Sequence, residues 1–149
     1  MTKRYLDELT YQIIGAASEV HKAIGPGLLE SVYHKCLKHE FFLRKLRYGS
    51  EFYVPVQYKG LEMEADLRCD FLVEDSIVVE LKAVDTIVPV FEAQLLTYMK
   101  LLQKPKSIFI NFNCTRSHLK NTSPCQVEPV ETGFQYRIAF DKLRLTIKN

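Results

Sequence analysis

Apolar positions recur with a helical period near the start of the chain. Ile13, Ala17, Val20 and Ile24 fall at i, i+4, i+7 and i+11, one stripe that predicts a helix over residues 5–24. Gly25-Pro26-Gly27 should end it. A second helix is expected over about residues 28–46. Leu29, Val32, Tyr33, Cys36, Leu37 and Phe41 would be its buried face, with Gly49 closing it. The period then changes to two. Phe52, Val54, Val56 and Tyr58 alternate up to a turn at Lys59-Gly60. Residues 61–73 predict a second strand, ending in the polar turn Glu74-Asp75-Ser76. The run IVVELKAV at 77–84 is apolar except for Glu80 and Lys82, the pattern of a central strand covered on both faces. Pro89 opens a third helix reaching about residue 103. SIFINF at 107–112 is a short strand. The order ααβββαβ describes an α/β chain with a mixed sheet of α+β character.

From about residue 115 the pattern fades into a polar, proline-punctuated stretch. FQYRIAFDKLRLTI could add one strand or a short hairpin. The expected organisation is a core domain of residues 1–115 and a C-terminal appendage of residues 116–149. No internal repeat is evident.

Composition narrows the class. At 149 residues, 47% hydrophobic and 26% charged, the chain is an ordinary globular protein, not a disordered, collagen-like or coiled-coil one. No apolar run reaches the length of a membrane span. The first residues, MTKRYLDELTYQ, carry no signal-peptide core. Cys36, Cys69, Cys114 and Cys125 form no CxxC pair. They are too scattered to suggest zinc or an iron–sulfur cluster. Reduced thiols in a cytoplasmic protein are expected. Twenty basic and eighteen acidic residues leave a net charge of +2, which neither demands nor excludes nucleic acid.

Glu80 and Lys82 are anomalous, because charges in a buried strand are costly unless paired or bound to a metal. Two apart, they share a face. If Glu74-Asp75-Ser76 forms a three-residue loop, Asp70 lies opposite Glu80 and Arg68 opposite Lys82. Opposed Cβ atoms sit roughly 4.5–5.5 Å apart. Two carboxylates that close repel unless a proton or cation lies between them. A hard divalent cation resolves the conflict, with Lys82 beside it to orient water or stabilise negative charge. The competing reading is a pair of exposed cross-strand ion pairs, against which the apolar run argues.

Asp70 followed by Glu80-Leu81-Lys82 resembles the PD-(D/E)xK nuclease signature, with Cys69 in place of the usual proline. GPGLLESVY contains Gly27, Glu30 and Tyr33 at the spacing of the GxxExxY motif, which names a small bacterial family. VPVQYKG, VELKAV and EAQLLTYMKL resemble that family's strands and following helix, including a Gln-x3-Tyr element like that of RecB-type nucleases. The resemblance spans about residues 8–113. It implies a restriction-endonuclease-like fold with Asp70 and Glu80 as ligands of Mg²⁺ or Mn²⁺. It also implies Lys82 as catalytic lysine, Glu30 as the helical acidic residue completing the site, and Gln94 and Tyr98 lining it from the third helix. His21 would reach toward a metal-bound water.

Several of these residues also have a purely structural reading. Glu30 suits the first turn of any helix through the macrodipole. Tyr33 lies on the apolar stripe, where its hydroxyl needs one polar partner. Gln94 and Tyr98 could form an exposed polar stripe, and His21 could simply cap or pack. Gly25 and Gly27 are turn glycines, not a phosphate loop. The chain also departs from the family pattern, carrying Phe91 where a histidine is common. VEPVET and FDKLRLT look like peptides encoded by palindromic intergenic repeats.

The expected function is therefore metal-dependent hydrolysis of nucleic acid, DNA first, with no membrane association. Lys3, Arg4, Lys35, Lys38, Arg44, Lys45 and Arg47 are candidates for gripping phosphates. The alternatives are a catalytically inactive nuclease-fold module that binds nucleic acid or a partner protein, and a hydrolase of smaller phosphoesters.

Overall fold

A computed structural model describes residues 2–113 and the backbone of two later strands. Helix α1 spans Lys3–Ile24 and is capped by Thr2, whose hydroxyl accepts from the Tyr5 amide at 3.3 Å. Gly25 and Gly27 then turn the chain with φ of 69° and 90°, values at which a side chain would be strained. Helix α2 spans Glu30–Leu43. Strands β1 (Tyr48–Tyr53), β2 (Val56–Tyr58), β3 (Leu61–Met63), β4 (Arg68–Val73) and β5 (Ile77–Lys82) follow. Helix α3 (Pro89–Leu101) crosses over to β6 (Lys106–Asn111), and β7 (Gln126–Val130) and β8 (Gln135–Ala139) complete the set.

The main sheet has the order β1-β4-β5-β6-β8-β7. β1, β4 and β5 are antiparallel neighbours, and β5 and β6 run parallel. This is the mixed sheet expected, with the parallel pair joined through α3 as a crossover requires. β8 lies parallel to β6 and antiparallel to β7. The expected boundary near residue 115 lies outside the described residues, as do Cys114 and Cys125. No described helix is long and apolar enough to cross a membrane.

The three expected β elements before α3 are in fact five short strands. Pro55 cannot donate to a ladder, and the chain leaves the main sheet there. It makes a separate β2-β3 hairpin turning at Lys59 and Gly60, both with positive φ, before rejoining as β4. Helix α2 is also shorter than its apolar pattern suggested. It stops at Leu43, and Gly49 sits inside β1 opposite Leu72 instead of closing the helix. Tyr33, Leu37 and Phe41 are buried, but Leu29 is 75% exposed and Val32 is on the surface. Leu29 precedes the first helical turn, so the stripe does not extend to it.

α1 and α2 cover one face of the sheet. Ile13, Ala17, Val20, Leu37 and Phe41 pack with Phe71, Val79, Leu81 and Ile108. α3 covers the other, where Leu95 and Tyr98 meet Leu72, Val78 and Phe109. β5 is buried throughout except for the partly covered Lys82, as its apolar run required. Val78 points to the α3 side, and by strand alternation Glu80 and Lys82 follow it. At the far end of the sheet the fully buried Lys106 donates to Asp7 of α1 at 2.9 Å. That contact ties α1 to β6.

Candidate metal centre

The β4-β5 ladder pairs Phe71 with Val79, Leu72 with Val78 and Val73 with Ile77. This is the register of a three-residue loop at Glu74-Asp75-Ser76. The next pair would be Asp70 with Glu80, and there side chains replace the ladder. The Asp70 amide donates to Glu80 Oε1 at 3.2 Å. The Leu81 amide donates to Asp70 Oδ2 at 2.7 Å. Asp70 is skipped on its other side too. β1 pairs Ser50 with Phe71 and Phe52 with Cys69, leaving out Glu51, whose φ is 48°. The site thus forms where ladder pairing lapses around one residue while the β1-β4 register is kept on either side.

Glu80 is only 5% exposed. Burial, and then the charge of Asp70, push its carboxyl up to about 8. Lys82 pulls the other way. The Lys82 ammonium lies over the Phe91 ring of α3, 5.1 Å from its centroid, a cation–π contact that restrains it. Arg68 does not meet Lys82 as expected. It pairs with Tyr53 of β1, and its guanidinium donates to Asp66 at 2.9 Å.

Glu30 is the first residue of α2, whose cap residue Leu29 makes no side-chain bond. Burial raises its carboxyl above the usual range, Lys82 lowers it and Asp70 raises it. It is therefore within electrostatic reach of both. Among the described residues, no three His, Cys, Asp or Glu side chains gather around a single point. Asp70 and Glu80 are the convergent pair, and Glu30 stands off on the helix. Tyr98 is buried on α3 and feels the charges of Glu80 and Asp70. Gln94 is exposed, and its amide donates to the Tyr98 hydroxyl at 2.7 Å. Gln94 is thus joined to the site through Tyr98. His21 lies in the last turn of α1, where its carbonyl accepts from the Gly25 amide.

One neighbour was not anticipated. His34, one turn after Glu30, stacks on Phe71 with ring centroids 4.4 Å apart. Its Nε2 faces the Asp70 carbonyl at 3.4 Å and Ser50 Oγ at 3.5 Å. The spacing of Glu30 and His34 at i and i+4 was visible. Nothing in the local sequence showed that α2 would lie across the opened strand. Tyr33 behaves as expected: it is fully buried, and its hydroxyl donates to the Gly25 carbonyl at 2.6 Å. Cys69 is a buried free thiol, pushed up to about 12 by burial and the nearby charge of Glu80. Arg44 and Arg47 are occupied by Glu40 and Glu74, so two of the basic candidates already serve the fold.

The donor set is all oxygen, which suits a hard divalent cation. Two buried or half-buried carboxylates, one held well above its ordinary value first by burial and then by the charge of the other, are the arrangement such a cation would relieve. The chain matches the PD-(D/E)XK nuclease superfamily over residues 7–122, and with most of its length covered it belongs to that superfamily. No curated protein and no solved structure matches it. Nucleases of this superfamily generally use divalent metal ions, commonly Mg²⁺.

Proposed function

We propose that this protein is a cytoplasmic, metal-dependent phosphodiesterase of the GxxExxY group that cleaves nucleic acid, with DNA as its substrate. The reading rests chiefly on the Asp70–Glu80 pair, a buried carboxylate pair that gains nothing for the fold alone. Asp70 and Glu80 would hold Mg²⁺ or Mn²⁺, with Glu30 as the further carboxylate on α2. An ion held there would supply Lewis acidity to the scissile phosphate and make an attacking water more acidic. Lys82 orients that water and stabilises the negative charge growing on the phosphate. The Phe91 ring keeps the ammonium from wandering. Tyr98, steadied by Gln94, presents a hydroxyl toward Glu80. Residues after about 115 are an addition to this catalytic domain.

The test is incubation of single- and double-stranded DNA and RNA with Mg²⁺ or Mn²⁺, using wild type, Lys82→Ala and Asp70→Asn. Metal-dependent cleavage lost in both variants supports the proposal. Equal activity in all three would overturn it. That no three carboxylates gather among the described residues favours a second reading, a silent nuclease fold that binds nucleic acid or a partner protein. That reading gains if wild type is inactive while all three proteins bind DNA equally.

A further inference from the structure

Helix α2 starts without a side-chain cap, since Leu29 in the cap position makes no such bond. The turn before it contains two glycines at positive φ with nothing close to where a Cβ would sit. A turn of this kind is intrinsically loose. What closes it is a side chain from within the helix. The Tyr33 hydroxyl donates to the Gly25 carbonyl at 2.6 Å and accepts from the Leu28 amide at 3.2 Å. The Tyr33 ring is fully buried and stacks flat on Phe112, with centroids 4.5 Å apart and planes 6° apart. Phe112 in turn donates its amide to the Lys82 carbonyl at 2.8 Å. Tyr33 therefore links the turn before Glu30 to Phe112, and the Phe112 backbone links onward to the end of β5 that carries Glu80 and Lys82.

We propose that Tyr33 is a positioning residue that sets the distance of Glu30 from the Asp70–Glu80 pair. The proposal rests on the metal-centre reading above. Tyr33 touches neither metal nor substrate and acts only through where α2 begins. The role uses both the hydroxyl bonds at the turn and the ring's stack on Phe112.

The experiment is a Mn²⁺ titration of the full chain, following free Mn²⁺ by electron paramagnetic resonance. Wild type, Tyr33→Phe, Glu30→Gln and the double variant are compared. Tyr33→Phe is expected to bind Mn²⁺ about fivefold more weakly, the equivalent of one ordinary hydrogen bond. In the Glu30→Gln background it should cause no further loss, because the residue it positions is already gone. Hydrogen exchange at the Leu28 amide should also speed up in Tyr33→Phe. Unchanged Mn²⁺ affinity, or a loss that adds fully to that of Glu30→Gln, would overturn the proposal. Should Tyr33→Phe not fold, Phe112→Leu removes the stacking anchor and carries the same comparison. Wild type that binds no Mn²⁺ would overturn the metal-centre reading itself, a result distinct from either.

Discussion

The Asp70 amide donates to the Glu80 carboxylate while the Asp70 carboxylate accepts from the residue after Glu80. This reciprocal clasp stands where the next ladder pair would be. It brings two acidic side chains together without any basic residue interposed. One oxygen of each carboxylate is committed to backbone, which fixes the direction in which the others face.

The clasp should make the metal-free protein sensitive to pH. Glu80 is raised to about 8 in the folded chain, against an ordinary value near ~4.3 when unfolded. The folded state therefore binds the extra proton between those values. Stability should be greatest below the unfolded value and should fall as pH rises toward 8, by at most about 1.4 kcal/mol per pH unit. Urea midpoints in chelator from pH 5 to 8 measure this. Glu80→Gln should flatten the slope, and an equally steep slope in that variant would count against it.

Removing His34 should loosen the clasp from the other side. His34→Ala takes away the ring on Phe71 and the contact with the Asp70 carbonyl. The ring contact contributes about 1 kcal/mol, so a modest drop in Tm is expected. The cleavage rate should fall about tenfold or more, since small displacements at a reacting centre are costly. A variant with full activity would remove His34 from the site.

Phe91 offers a gain-of-function test. The ring lies under Lys82, with its centroid 5.1 Å from the ammonium. Phe91→His keeps a flat ring near the ammonium and adds a group able to move protons. An increased rate with Mn²⁺ is expected in single-turnover assays. No increase would mean that Phe91 already does all that the position requires.

A stability prediction concerns the opposite end of the sheet. Lys106 is fully buried and bonded to Asp7. Asp7→Ala leaves its ammonium without that carboxylate, a loss of about 1–3 kcal/mol. Chemical denaturation should show it as a lower midpoint, with metal affinity untouched. Unchanged stability would show that the contact is dispensable.

The part of this molecule that could be read along the chain is the part governed by local periodicity. The run at 77–84 gave a buried central strand, and a three-residue loop gave the register that sets Asp70 against Glu80. The break at Pro55 was less visible, because alternation at Phe52, Val54, Val56 and Tyr58 continues across it. Only the missing donor of Pro55 marks the departure of the hairpin. Leu29 lies before the start of α2, which an apolar stripe does not mark, and Val32 sits inside α2 but beside the buried Tyr33-Leu37-Phe41 stripe. His34 was missed for a different reason. Its role comes from α2 lying across a skipped sheet position, and that is a tertiary fact with no short-range signal. Glu30 was placed by resemblance, and its half-buried position on the helix is a matter of packing, not of spacing.

The most direct measurement is the rate of DNA cleavage in Mn²⁺ for wild type beside Lys82→Ala, with both proteins shown to be folded and to bind Mn²⁺. Cleavage by wild type is expected, with a loss of at least about a hundredfold in the variant. Equal rates, or a wild type that binds Mn²⁺ and DNA yet leaves the phosphodiester intact, would contradict it.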